Sequence, residues 1–174
     1  MMNPMEIAFF AAGAVAVIAT VLAITRLVAV HALLYLIVSL LAVAVVFYTM
    51  GAPLVAALEV IIYAGAIVVL FVFVVMMLNV GEQDREAERK WLAGRAWIGP
   101  VILSATLLVE VIYLIARAPV STTISSTSTP KQIGLALYGP YLLGVELASM
   151  LLLGALVGAC HLGRISKSGR EARQ

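Results

Sequence analysis

Three carboxylates stand inside long apolar runs of this 174-residue chain: Glu59, Glu110 and Glu146. An acidic side chain at a membrane helix centre costs about 2.5–3.5 kcal/mol on insertion scales, so each needs a reason. One reason is a relay, in which a buried carboxyl takes up and releases a proton. The other is structural: a neutral carboxyl that hydrogen-bonds a neighbouring helix. For Glu59 and Glu146 the residues leave both readings open. Glu110 lies within two turns of the end of its run and within reach of Arg117, which favours the structural one.

Glu59 has company. Tyr63 follows four residues on, on the same face of a helix. A phenol beside a carboxylate donates to it or holds a water between them, an arrangement suited to proton transfer. Gly65 comes within the next turn, in a run crowded with β-branched residues (Ile61, Ile62, Ile67, Val68, Val69). Other chemistries lack their residues. Cys160 is the single cysteine, which excludes an internal disulfide and a cysteine metal cluster. His31 and His161 are far apart in sequence, no glycine-rich phosphate loop occurs, and a net charge of +2 is too small for a nucleic-acid binder.

These residues must be positioned by membrane helices. With 64% hydrophobic and 11% charged residues, the chain cannot dress the surface of a soluble domain. About 20 apolar residues cross a bilayer core of roughly 30 Å. Five stretches qualify, at about 5–24, 31–50, 54–78, 96–116 and 138–162, which predicts an all-α integral membrane protein with five transmembrane helices. Residues 1–165 read as a single five-helix membrane domain, and 166–174 as a charged cytoplasmic tail. Gly51-Ala52-Pro53 separates the second and third spans. The third covers 25 residues, about 37 Å as a straight helix, so it must tilt, protrude or deform. A π-bulge near Gly65 is one such deformation, and simple tilting is the plainer one.

Orientation follows from charge. The first span has no Lys or Arg before it and Arg26 after it, the reverse of a cleaved secretory signal. With the N-terminus outside, nine positive residues fall inside: Arg26, four within 79–95 and four from Arg164 to Arg173. Only Arg117 and Lys131 then fall outside. This bias predicts N-out, C-in. The 79–95 connection reads as a short helix or solvated loop and 121–130 as a polar linker. Small residues recur at Ala8, Ala12, Ala16 and Thr20, and Gly154 and Gly158 form a GxxxG pair, both patterns that let helices approach closely. His31, Tyr35 and Ser39 make a polar stripe that either wets a channel or hydrogen-bonds between helices.

The segment LEVIIYAGAIVVLFVFVVMMLN, residues 58–79, resembles the third helix of subunit J of the proton-pumping NADH–quinone oxidoreductases, respiratory complex I. HALLYLIVSL at 31–40, WIGP at 97–100 and VELASMLLL at 145–153 agree with it, and the resemblance covers about residues 5–165. It implies a five-helix membrane-arm subunit of the bacterial inner (plasma) membrane that binds no cofactor itself. NADH, FMN, iron–sulfur clusters and a quinone would be used by the rest of the complex. Its partners would be the other membrane-arm subunits and the lipid bilayer, with no nucleic acid. It further implies that the third helix carries a π-bulge whose conversion to α gates a water-filled proton path. The matching positions are Glu59, Tyr63, Gly65 and Val69, with Glu146 in the fifth helix. Glu110, residues 1–4 and the 121–130 linker fall outside the pattern. Two rivals share the five spans and the carboxylates: a subunit of a related cation/proton antiporter, and a purely structural assembly subunit.

Overall fold

The computed structural model describes residues 4–26, 28–77, 97–117 and 129–171. The 79–95 connection and most of the 121–130 linker lie outside the described residues. Five helices are long and apolar enough to cross a membrane, covering Met5–Thr25, Ala29–Thr49, Pro53–Met77, Ile98–Ala116 and Leu142–Gly163. The chain divides into two units, residues 1–128 and 129–174.

In the first unit, α1 (Pro4–Thr25) packs along α2 (Ala29–Thr49). Their shared core contains Ala12, Val15 and Ala19 from α1 and Val38, Ala42 and Val45 from α2. The alanines permit the approach: Ala12, Ala19 and Ala42 are fully buried, and at each a larger side chain would hold the backbones apart. A strict spacing of four drifts around a helix of 3.6 residues per turn. The buried stripe of α1 therefore runs Ala8, Ala12, Val15, Ala19, with Ala16 at its edge and Thr20 exposed.

Polar groups between these helices are hydrogen-bonded. Thr20 Oγ1 and Ser39 Oγ lie 2.6 Å apart, and both reach the Ala16 carbonyl, at 2.8 and 3.2 Å. With two hydroxyl protons for the three contacts, one hydroxyl donates to the other and the second to the carbonyl. Of the two roles open to the polar stripe, Ser39 takes the interhelical one.

The turn from α2 into α3 is written in its residues. Gly51 takes φ 78°, a left-handed conformation that costs a residue with a Cβ. Its N–H donates to the Tyr48 carbonyl and the Ala52 N–H to the Phe47 carbonyl, each at 3.0 Å, the two bonds of a Schellman motif. Pro53 then opens the third helix, where its missing N–H is not needed.

That helix, α3, covers Pro53–Met77. It is α-helical over Pro53–Leu58, π-helical over Glu59–Ile67 and α-helical again over Val68–Met77. It packs on α2, while α4 (Ile98–Arg117) packs on both α1 and α2.

The second unit holds α5 (Pro130–Leu137) and α6 (Leu142–Glu171). The fifth span starts at Leu142, four residues later than the sequence suggested. Tyr138 to Tyr141 form a turn, because Pro140 has no N–H with which to continue α5. The Tyr141 N–H donates to the Ala136 carbonyl and the Leu142 N–H to the Gly139 carbonyl. Helix α5 begins at a capping box: the Gln132 N–H donates to Thr129 Oγ1 at 3.3 Å and the Thr129 N–H to Gln132 Oε1 at 3.0 Å.

Candidate functional site

The nine-residue π segment from Glu59 to Ile67 holds three of the expected site residues: Glu59, Tyr63 and Gly65. The Val68 N–H donates back to the Tyr63 carbonyl, five residues away, where an α-helix would reach four. Each π bond closes one residue wider than an α bond. The side chains beyond Ile67 are therefore rotated relative to an uninterrupted helix. A π segment this long is rare, and its position in the 25-residue α3 absorbs excess length.

Gly65 belongs to this geometry. A Cβ at position 65 would lie 3.1 Å from the Val60 carbonyl oxygen, the backbone group five residues earlier. That is tighter than ordinary van der Waals contact, so a side chain would press on the bonding that defines the segment. Glu59 is half-buried within the chain, while Tyr63 and Val69 are exposed. Val68, at the junction with the following α segment, is 1% exposed and is the largest side chain to be so fully buried. The chain thus buries the junction residue and turns Val69, next to it, outward.

A cavity of about 550 Å³ lies beside the start of the π segment. Ala56 and Val60 of α3 face Val38 and Val45 of α2 and Leu107 and Val111 of α4 across it. Its walls are almost wholly apolar and offer water few hydrogen-bond partners.

The other two carboxylates are placed differently. Glu146 is exposed on α6 in the second unit, where the Ser149 hydroxyl donates to its backbone carbonyl at 2.7 Å. Glu110 is on α4 facing the backbone of Ala12 in α1. Both its carboxyl oxygens are buried, and among the described residues neither meets a hydrogen-bond partner. The sequence did not reveal this orientation, since a lone acidic residue in an apolar run does not say which face it occupies. It did not single out the burial of Val68 either, because its neighbours are apolar on every side and give no periodicity. No group of three His, Cys, Asp or Glu side chains converges among the described residues.

Residues 19–162 match the family described as NADH-ubiquinone/plastoquinone oxidoreductase chain 6. The chain is 58% identical over 161 residues to NADH-quinone oxidoreductase subunit J of Pseudomonas aeruginosa, covering 92% of this chain and 97% of that one. It is 53% identical to subunit J of Escherichia coli K12, over 95% of this chain and 90% of the relative. Subunit J of Buchnera aphidicola from Schizaphis graminum is 48% identical, over 94% of this chain and all of its own length. These matches run through every described helix that spans, the π segment included. The chain therefore belongs to the chain 6 family of NADH-quinone oxidoreductases, as a complex I subunit of the J type.

Proposed function

We propose that this chain couples quinone reduction to proton translocation as a membrane-arm subunit without a redox centre, and that the π segment of α3 is its gate. The observation that carries the reading is the π winding from Glu59 to Ile67, which places an acid, a phenol and a glycine in one stretch of non-α helix. Electron transfer through NADH, FMN, iron–sulfur clusters and quinone belongs to other subunits. A change of charge that accompanies quinone reduction shifts α3 by one residue over part of its length. That shift turns Val69 into or out of a water path that includes Glu59, Tyr63 and, in the fifth span, Glu146. For such a switch to work the two windings must differ by only a few kcal/mol.

The topology proposed is N-out and C-in, as a single five-helix domain in the bacterial inner membrane, from the nine-to-two distribution of positive residues. The partners are the neighbouring membrane-arm subunits and the surrounding lipid. Gly65→Val tests the gate. A β-branched side chain 3.1 Å or less from the Val60 carbonyl biases the winding, so NADH-driven pumping falls about tenfold, the change that about 1.4 kcal/mol of bias produces. NADH oxidation by an artificial acceptor persists. Normal pumping by an assembled Gly65→Val complex would refute the gate and leave a packing role for α3.

A further inference from the structure

A second polar cluster lies where α1 hands over to α2. Arg26 sits in the connection. Its Nη2 reaches the Tyr35 hydroxyl at 3.5 Å, and its guanidinium lies 5.2 Å from the centre of the Tyr35 ring. Among the described residues it meets no carboxylate. His31 is one turn before Tyr35 on the same face of α2, 5% exposed, with an Nε2 that has no hydrogen-bond partner among the described residues. Val28 gives α2 no side-chain cap, and the first bond of the helix runs from the Ala32 N–H to the Val28 carbonyl. The N–H groups before Ala32 therefore have no acceptor within the helix, and they add partial positive charge to that of Arg26. A cation with no carboxylate partner among the described residues, an uncapped helix start and a buried imidazole occupy one end of one helix. Among the described residues no anion meets this charge, and one from outside the chain would complement it.

The same cluster opens onto an apolar groove. The Tyr35 hydroxyl rests on Gly99, where any Cβ would collide with it. Gly99 lies between Trp97 and Pro100, both of which line a groove of about 370 Å³ between α2 and α4. Leu34, the neighbour of Tyr35, forms the α2 wall, and Val101, Ala105 and Leu108 continue it along α4. From residue 97 to residue 108 is about 16 Å of helix, the thickness of one leaflet of a roughly 30 Å hydrocarbon core. Trp97 at the mouth is the kind of side chain that marks the headgroup level.

We infer that Arg26, the start of α2 and this groove bind one anionic phospholipid of the adjoining leaflet, its phosphate against Arg26 and an acyl chain along Leu34 and Val101. Charge complementarity selects the anion, and a one-leaflet apolar groove selects a lipid over a soluble phosphate. The site shares no residue with the proposed gate, so either idea can fail alone.

The test uses the whole complex in phosphatidylcholine nanodiscs. A trace of photoactivatable phosphatidylglycerol, or of the same label on phosphatidylcholine, is crosslinked and quantified on peptides holding residues 28–35 and 97–108. Phosphatidylglycerol should label these peptides about fivefold more than phosphatidylcholine, the preference one arginine at a membrane surface confers. Arg26→Gln should bring that ratio to about one. Ala105→Trp, which fills the groove, should cut both labels, and excess inorganic phosphate should change neither. Equal labelling by the two lipids in the wild-type complex, or a preference that survives Arg26→Gln, would overturn the inference. Undiminished labelling of Ala105→Trp would remove the groove from it, and displacement by inorganic phosphate would assign a soluble anion in place of the lipid.

Discussion

Helices α2 and α3 are joined by a three-residue turn and are similarly apolar, yet the chain treats them in opposite ways. α2 is enclosed: Tyr35, Val38, Ser39, Ala42, Ala44 and Val45 are buried, and the hydroxyl of Ser39 is matched by Thr20 and the Ala16 carbonyl. α3 buries only Ala56 and Val68, and between them runs the π segment with Glu59 and Tyr63. In a membrane, lipid gives apolar side chains no reason to hide, so burial reflects packing and hydrogen bonding. α2 is thus the element the chain folds around. α3 is held at its first turn, around Ala56, and at Val68, and keeps the rest of its surface for whatever surrounds the chain in the complex.

If that contrast is right, substitutions in α1 and α2 act on stability, and those in α3 act on coupling. The largest stability effect should come from Ala12→Leu. Ala12 is fully buried in the core that α1 shares with α2 and with Leu107 of α4, and overpacking there should cost about 1–3 kcal/mol. It would appear as a lower melting temperature and a poorer yield of assembled complex. Ile61→Ala on the exposed face of the π segment serves as its control, with no loss of thermal stability expected from the isolated chain. Equal losses from the two would erase the distinction between the helices.

Gly51→Ala comes next. Its φ of 78° should cost about 1–2 kcal/mol once a Cβ is present, read as a melting shift with pumping per assembled complex retained. A coupling loss beyond the stability loss would show that the turn also sets the winding of α3. The smallest effect is the Thr20–Ser39 hydrogen bond. A double-mutant cycle with Thr20→Val and Ser39→Ala should give about 0.6 kcal/mol, the usual value for such pairs in membrane helices. A coupling energy near zero would mean that alanine packing alone holds α1 to α2.

Much of this was legible from the residues. Continuous apolar length marked the five spans to within a few positions, and Gly51-Ala52-Pro53 marked the turn that the Schellman motif now explains. The excess length of α3 and the glycine within it pointed toward deformation, although length alone did not choose between a π segment and a tilt. The orientation of single side chains was not legible. Glu110 turns its carboxyl toward Ala12, a direction that so apolar a run does not report, and the Arg117 side chain it was expected to reach lies outside the described residues. The short helix α5 left a readable mark, since Thr129 and Gln132 stand at capping-box spacing, but the run of serines and threonines before it in the sequence made the segment read as linker.

The Schellman turn at Gly51 has one more consequence. It clamps the start of α3 to the end of α2, so the helix behaves as a screw with one fixed end. Advancing the thread by a single residue within Glu59–Ile67 leaves Pro53–Leu58 where it is and drives Val68–Met77 about 1.5 Å along the axis and about 100° around it. Motion made at the carboxylate is therefore delivered two to five turns away: Val68 would have to leave its buried seat, and Phe71, Phe73, Met76 and Met77 would sweep past their neighbours like the teeth of a key.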